Sequence, residues 1–251
     1  MSKTTIKYLQ KLSNKNFRYE KRQFVIEGIR SIQSILVKKT EQIEKIFISK
    51  EMLQKHQSLF NSIEKSKIEI QEHLFFKRTS LLKTPNEVLA LVNFFKNPEC
   101  SISSQNWSLG LERIQDPGNL GTIIRIADWF GIQNLFCSLD CVDLYNSKTI
   151  QSSVGSICNV NVHYVDLKKL LDTHPHATKV ATTLDGKDYR TSDEWKKTKG
   201  LLLFGNEAQG LSKELLNECN FSIKIPSIQK IDISAESLNV SVSCGIILAN
   251  L

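Results

Sequence analysis

Three segments of the chain set polar side chains among turn residues, each just after an apolar run. The first is Gln115-Asp116-Pro117-Gly118-Asn119-Leu120-Gly121-Thr122-Ile123-Ile124-Arg125. Asp-Pro-Gly makes a tight turn, and Asn119 falls about where a helix N-cap is wanted. Arg125 follows six residues on, nearly two helical turns away. Taken alone, this pattern reads as a cap plus a surface arginine. The second segment is Leu203-Phe204-Gly205-Asn206-Glu207-Ala208-Gln209-Gly210-Leu211-Ser212. Its glycines have the spacing of a phosphate loop, but Leu211 stands where the lysine must be, which excludes nucleotide hydrolysis. A glycine-rich turn after an apolar strand still lets a ligand approach the backbone closely. Glu207 places a carboxylate at the rim of such a turn, or simply in solvent. The third segment is Ile225-Pro226, a polar loop, and then Ser237-Leu238-Asn239-Val240-Ser241-Val242-Ser243-Cys244-Gly245-Ile246-Ile247-Leu248. Its small and β-branched residues permit close approach to a ligand or another helix, and equally suit a tightly packed core helix.

The elements that must position these segments alternate. Strands are expected at Trp107–Ile114, Asn134–Leu139, Val160–Val165, Lys179–Leu184, Leu201–Phe204 and Phe221–Ile225. Between and after them, helices are expected at Leu120–Phe130, Leu144–Ser153, Leu167–Thr173, Ser192–Lys197, Ser212–Cys219 and Ser237–Leu251. Such alternation predicts an α/β fold with a parallel sheet covered on both faces. Ligands bind such sheets beyond the carboxyl ends of the strands, so the loops after each strand are where chemistry is expected. No G-x-G-x-x-G follows the first strand, which argues against a nicotinamide site and a classical methyltransferase.

The first part of the chain differs in composition. Residues 1–98 hold 19 Lys and Arg against 9 Asp and Glu, a balance of +10, whereas residues 99–251 hold 14 against 17, a balance of −3. Lys3, Lys7, Lys11 and Lys15 recur every four residues, as on one helical face, and Arg18, Lys21 and Arg22 follow. This asymmetry predicts two domains, one facing a polyanion; a solvated lysine-rich surface is the plainer alternative. Short strands at Phe24–Gly28, Ile43–Ile48, Ile68–Ile70 and Glu87–Phe95, with helical stretches at Ile29–Leu36 and Met52–Ser62, predict a small α/β domain over 1–95. Residues 96–106, polar and serine-rich with one proline, read as a linker to a domain over 107–251.

Six cysteines and five histidines show no zinc-ligand spacing, so no metal is expected and reduced buried thiols are the default. The N-terminal MSKTTIKYLQK has no apolar leader, and no apolar run approaches the ~20 residues of a membrane span. A cytoplasmic protein with no membrane partner is expected.

The three segments, in this order, resemble the three signature motifs of the SpoU/TrmH family. These are S-adenosylmethionine-dependent RNA 2'-O-ribose methyltransferases of the SPOUT superfamily. Asn119 to Arg125 resembles the first motif, Gly205 to Ser212 the second and Ser237 to Val242 the third. Ser152-Ser153-Val154-Gly155-Ser156 resembles a family segment between the first two. Residues 1–95, with Lys21-Arg22-Gln23-Phe24-Val25-Ile26-Glu27-Gly28, look like the RNA substrate-binding domain often fused in front, itself similar to ribosomal proteins.

The resemblance implies a C-terminal SPOUT domain whose parallel sheet carries a deep trefoil knot, and a homodimer with the third-motif helix at its interface. It implies S-adenosylmethionine held by Leu184, Gly205, Ile225 and Leu238. It also implies a catalytic group of Arg125, Asn119, Glu207, Ser237 and Asn239, with RNA, ribosomal or transfer, as partner. A guanidinium with a pKa above ~12 is a poor base. Arg125 is therefore expected to orient an RNA phosphate that takes the proton, and to stabilise developing alkoxide charge. The stretch from Ile225 to Leu238 is longer than the family pattern leads one to expect. A catalytically inactive RNA-binding scaffold is the competing expectation, and a base-methylating SPOUT enzyme a third.

Overall fold

The computed structural model describes residues 3–82, 84–96, 98–103, 105–191, 193–227 and 237–251. Residues 228–236 of the expected long loop, and Ser192 at the start of an expected helix, lie outside the described residues. The chain forms two compact units, Met1–Lys96 with Asp143–Asn159, and Asn97–Val142 with Val160–Leu251.

The first unit runs through α1 (Lys3–Lys11), α2 (Lys15–Lys21), β1 (Gln23–Glu27), α3 (Ile29–Lys38), β2 (Ile43–Ile48) and α4 (Lys50–Lys55). It continues with α5 (Gln57–Phe60), β3 (Ile68–Ile70), α6 (His73–Thr79) and β4 (Val88–Asn93). The sheet order is β1-β4-β2-β3, with β4 antiparallel to both neighbours and β2 parallel to β3. Because β4 is central and covered, five of its six residues are buried. Ile6 and Leu9 of α1 pack with Phe47, Phe75 and Phe76 in the core. Full burial stabilises each such side chain by roughly 1.5–3 kcal/mol. The lysine row does not make one continuous helix. α1 ends before Asn14, whose side chain accepts the Phe17 N–H and starts α2 afresh.

Arg18 departs from the expected basic surface, being only 4% exposed. Its guanidinium donates to the Leu12 and Ser13 carbonyls at 2.8 and 2.7 Å and to Asp143 Oδ2 at 2.6 Å. Asp143 Oδ1 also accepts the Tyr19 hydroxyl at 2.9 Å and the Tyr145 N–H at 3.1 Å. This buried pair ties residues 143–159, with their helix α8 (Ser147–Ser153), into the first unit. Tyr145 stacks on Phe94 at 3.9 Å between ring centres, and burial pushes its phenol up to about 12. Gly155, at φ +93°, lies so near α3 that a Cβ would fall 2.6 Å from Ser34 Oγ. By sequence interval 143–159 falls inside the expected C-terminal domain; by packing it belongs with residues 1–96.

The second unit contains β5 (Ser108–Leu111), α7 (Pro117–Trp129), β6 (Asn134–Ser138), β7 (Asn161–Val165), α9 (Leu167–Thr173) and β8 (Thr178–Asp188). After these come β9 (Gly200–Phe204), α10 (Lys213–Leu216), β10 (Phe221–Lys224) and α11 (Val240–Leu248). All six strands run parallel in the order β10-β8-β9-β5-β6-β7. The strand Gly-Leu-Leu-Leu-Phe of β9 is buried at every position, as a sheet covered on both faces requires. From β5 the chain steps outward to β6 and β7, then returns to β8 and β9 on the other side of β5. That reversal opens a crevice at the carboxyl ends of β5 and β9, the place where such sheets bind ligands.

β8 outruns its expected end at Leu184 and pairs with β10 through a register shift. Of the expected helix at 192–197, the described part is a single 3-10 turn, Glu194–Lys196. Among the described residues no two cysteines form a disulfide.

Candidate active site

Two helix starts and one turn converge at that crevice. Asp116, not Asn119, caps α7: its side chain accepts the Asn119 N–H at 2.9 Å, and Pro117 fills the first helical position, where a missing N–H costs nothing. Asn119 is thereby freed from capping. Its Nδ2 donates to Glu207 Oε1 at 2.5 Å, and its Oδ1 accepts from Asn239 Nδ2 at 2.9 Å. Asn239 caps α11, its Oδ1 accepting the N–H groups of Ser241 and Val242 at 2.9 and 3.4 Å. Asn239, Asn119 and Glu207 thus form one hydrogen-bonded chain across residues 88 and 120 positions apart in sequence.

Glu207 sits in a tight turn after β9. Gly205 has no space for a side chain, since a Cβ would lie 2.2 Å from the Gly210 carbonyl carbon. Gly210 closes the turn at φ +63°, donating its N–H to the Asn206 carbonyl at 2.8 Å. Asn206 Oδ1 accepts the N–H groups of Ala208 and Gln209 at 2.9 and 3.1 Å. The turn forms one wall of a cavity of about 350 Å³, lined also by Leu184, Asp185, Ile225, Ser237, Leu238 and Val240. All four positions expected to hold a cofactor are in this lining, together with Glu207 and Ser237. A larger cavity of about 490 Å³ lies in the first unit and contains none of the expected site residues.

Arg125 stands apart from this cluster. It is exposed on α7, and among the described residues no polar side chain pairs with it. Six residues at 100° each carry it well around the helix from Asn119.

Sequence reading does not anticipate Arg113, which follows β5 at φ +55°. Its N–H donates to Ser138 Oγ at 2.9 Å, its carbonyl accepts from Asn206 Nδ2 at 3.0 Å, and its Nη2 donates to the Gly210 carbonyl at 3.2 Å. Left-handed backbone at a non-glycine residue costs about 1–3 kcal/mol, so these hydrogen bonds must over-determine it. Nothing in the composition around Arg113 signals a left-handed residue. The Asp before Pro117, by contrast, is a legible cap signal. Beneath Arg113, the Ile114 N–H reaches Cys141 Sγ at 3.2 Å. A hydrogen bond with Cys137 pulls the Cys141 thiol down to about 7, against the opposing effect of burial. Among the described residues no cluster of His, Cys, Asp or Glu is arranged to hold a metal ion, and no helix is long and apolar enough to cross a membrane.

Residues 106–249 match the SpoU rRNA Methylase family. The chain belongs to that family. Residues 3–90 also match the MRM3-like substrate binding domain. Among relatives of this SpoU chain is the 23S rRNA (guanosine(2553)-2'-O)-methyltransferase RlmP of Bacillus subtilis, 28% identical over 98% of this chain and 95% of that one. An uncharacterized tRNA/rRNA methyltransferase of Synechocystis is 32% identical over 64% of this chain and 63% of its own length. The AdoMet-bound rRNA methyltransferase of Sinorhizobium meliloti superposes with a TM-score of 0.82 at 25% identity, covering 99% of this chain and 94% of that one. The parallel sheet of the second unit is therefore the SpoU catalytic fold, preceded by a small substrate-binding domain.

Proposed function

We propose that this chain transfers a methyl group from S-adenosylmethionine to a ribose 2'-hydroxyl of structured RNA, ribosomal or transfer. The observation that carries the reading is the Asn239–Asn119–Glu207 chain, whose Glu207 end borders the cavity formed by β8, β10 and the turn after β9. That cavity suits the cofactor. The tightly folded turn at Gly205 presents backbone N–H and C=O groups, Leu184, Ile225 and Leu238 supply apolar walls for a flat base, and the Asp185 and Glu207 carboxylates favour a cation. Leu184, Gly205, Ile225 and Leu238 hold it in this reading. When bound, S-adenosylmethionine supplies a methyl group activated on a sulfonium.

The chain's own residues orient the acceptor. A ribose hydroxyl must face the methyl in line and lose its proton as the new O–CH3 bond forms. Asn119 and Asn239, each fixed by the other, position the ribose, and Glu207 holds Asn119 in place. Ser237 adds a hydroxyl at the cavity wall. Arg125, with no described partner to give up, is available to an RNA phosphate. It orients that phosphate as proton acceptor and stabilises the alkoxide charge.

In the same reading residues 1–95 grip the RNA, 96–106 link, and 107–251 catalyse, with the deep trefoil knot of the family in the last. Two copies pair through α7 and α11, where Trp129 is 84% and Val242 49% exposed. In the same reading the protein works in the cytoplasm. Transfer of labelled methyl from S-adenosylmethionine to total RNA, followed by nucleoside analysis, tests the reading. A 2'-O-methylnucleoside is expected. A base-methylated product, or none, overturns it.

A further inference from the structure

Three described non-glycine residues have left-handed backbone: Arg22 at φ +51°, Val154 at φ +49° and Arg113 at φ +55°. Arg22 and Val154 close helices α2 and α8, where that conformation is common. Arg113 closes no helix. It follows a strand, and its hydrogen bonds run to the turn that walls the cavity. Its carbonyl accepts from Asn206 Nδ2 at 3.0 Å and its guanidinium donates to the Gly210 carbonyl at 3.2 Å, so one residue grips both ends of the turn 206–210. The neighbouring Glu112 accepts the Ser212 N–H at 2.7 Å and lies 3.6 Å from the same guanidinium. Arg113 Nε is meanwhile buried with no partner among the described residues. A strained backbone and an unsatisfied donor are retained together only where the surrounding structure over-determines them.

We propose that Arg113 is a positioning residue that holds the turn 206–210, and with it the S-adenosylmethionine cavity, in its binding geometry. The inference rests on the cofactor reading above. Arg113 does not itself line the cavity; it acts through Asn206 and Gly210. Its main-chain hydrogen bonds survive substitution, whereas its side-chain bond to Gly210 does not. Glycine adopts positive φ freely, so Arg113→Gly removes the side-chain clamp without adding strain.

Calorimetric titration of the full chain with S-adenosylmethionine tests this, alongside Arg113→Gly and Arg113→Lys. Arg113→Gly is expected to bind the cofactor about tenfold more weakly, the worth of one charge-assisted hydrogen bond. Its Tm is expected within about 2 °C of wild type, since strain relief offsets the missing bond. The KM for S-adenosylmethionine should rise with kcat at saturation within about twofold, and RNA affinity at fixed salt should not move. Arg113→Lys, which keeps a cationic donor, should recover part of the affinity. Cofactor affinity in Arg113→Gly within about twofold of wild type overturns the inference alone. So does an affinity loss in both variants accompanied by a matching fall in Tm, which would mark a purely structural residue. A wild-type chain that binds no S-adenosylmethionine overturns the functional reading first and this inference with it.

Discussion

The two units distribute charge in opposite ways. The first, residues 1–96 with 143–159, keeps the +10 balance of its basic segment, because the added stretch contributes one lysine and one aspartate. Among the described residues its most buried ionic pair is Arg18–Asp143, with side chains 5% and 4% exposed. The second unit has a slight acidic excess, and its candidate site is built from amides and one carboxylate at the ends of parallel strands. In the first unit a buried charge pair serves assembly while the remaining surface lysines serve long-range attraction. In the second, side-chain amides and the Arg113 guanidinium hold a geometry through hydrogen bonds. A basic domain that attracts and a near-neutral one that positions is a division in which either half can be made to fail separately.

Asp143→Ala should have the largest effect and should break the first unit. It leaves Arg18 buried without its counter-charge, which costs about 3–5 kcal/mol. Chemical denaturation should show the loss, and a change under about 1 kcal/mol would mean that Arg18 finds water. Arg125→Ala should instead spare both folding and binding, and lower methyl transfer about 100- to 1,000-fold. Full turnover by that variant would remove Arg125 from the chemistry. A subtler change is expected from replacing the exposed Lys7, Lys11 and Lys15 by Gln. The dependence of log K on log salt for RNA binding should flatten by up to about 0.7–0.9 for each phosphate no longer neutralised, with cofactor affinity unchanged. An unchanged slope would transfer the grip elsewhere. The smallest effect belongs to Arg190→Ala. Arg190 holds the Asp188 carboxyl down to about 2, so any contribution is present above the ordinary 3.8 and lost as pH falls through about 2. The pair is solvent-exposed, and no resolvable change in Tm at pH 7 is expected.

Much of this organisation is legible in residue order. The apolar run Leu201–Phe204 coincides with a strand because no other local structure hides four consecutive large side chains so well. The charge asymmetry needs only counting. Element ends are less legible. Asp116 takes the cap expected of Asn119 because proline at the first helical position moves the start three residues upstream. The expected helix Met52–Ser62 divides into α4 and α5 at His56, where a cap interrupts the 3.6-residue pattern. Arg18 stands among surface bases in the sequence, and nothing local reveals a carboxylate 125 positions away.

Sequence by itself determined the α/β pattern, the basic first part, and the three motifs that mark the SpoU family, because periodicity, charge and motif spacing are properties of neighbouring residues. Only the tertiary structure decided that Asn239, Asn119 and Glu207 are one hydrogen-bonded chain, that residues 143–159 pack with the first unit, and that Arg113 is bent backward to grip a turn. Those depend on which distant groups the folded chain brings within about 3 Å of one another, the range within which a hydrogen bond forms.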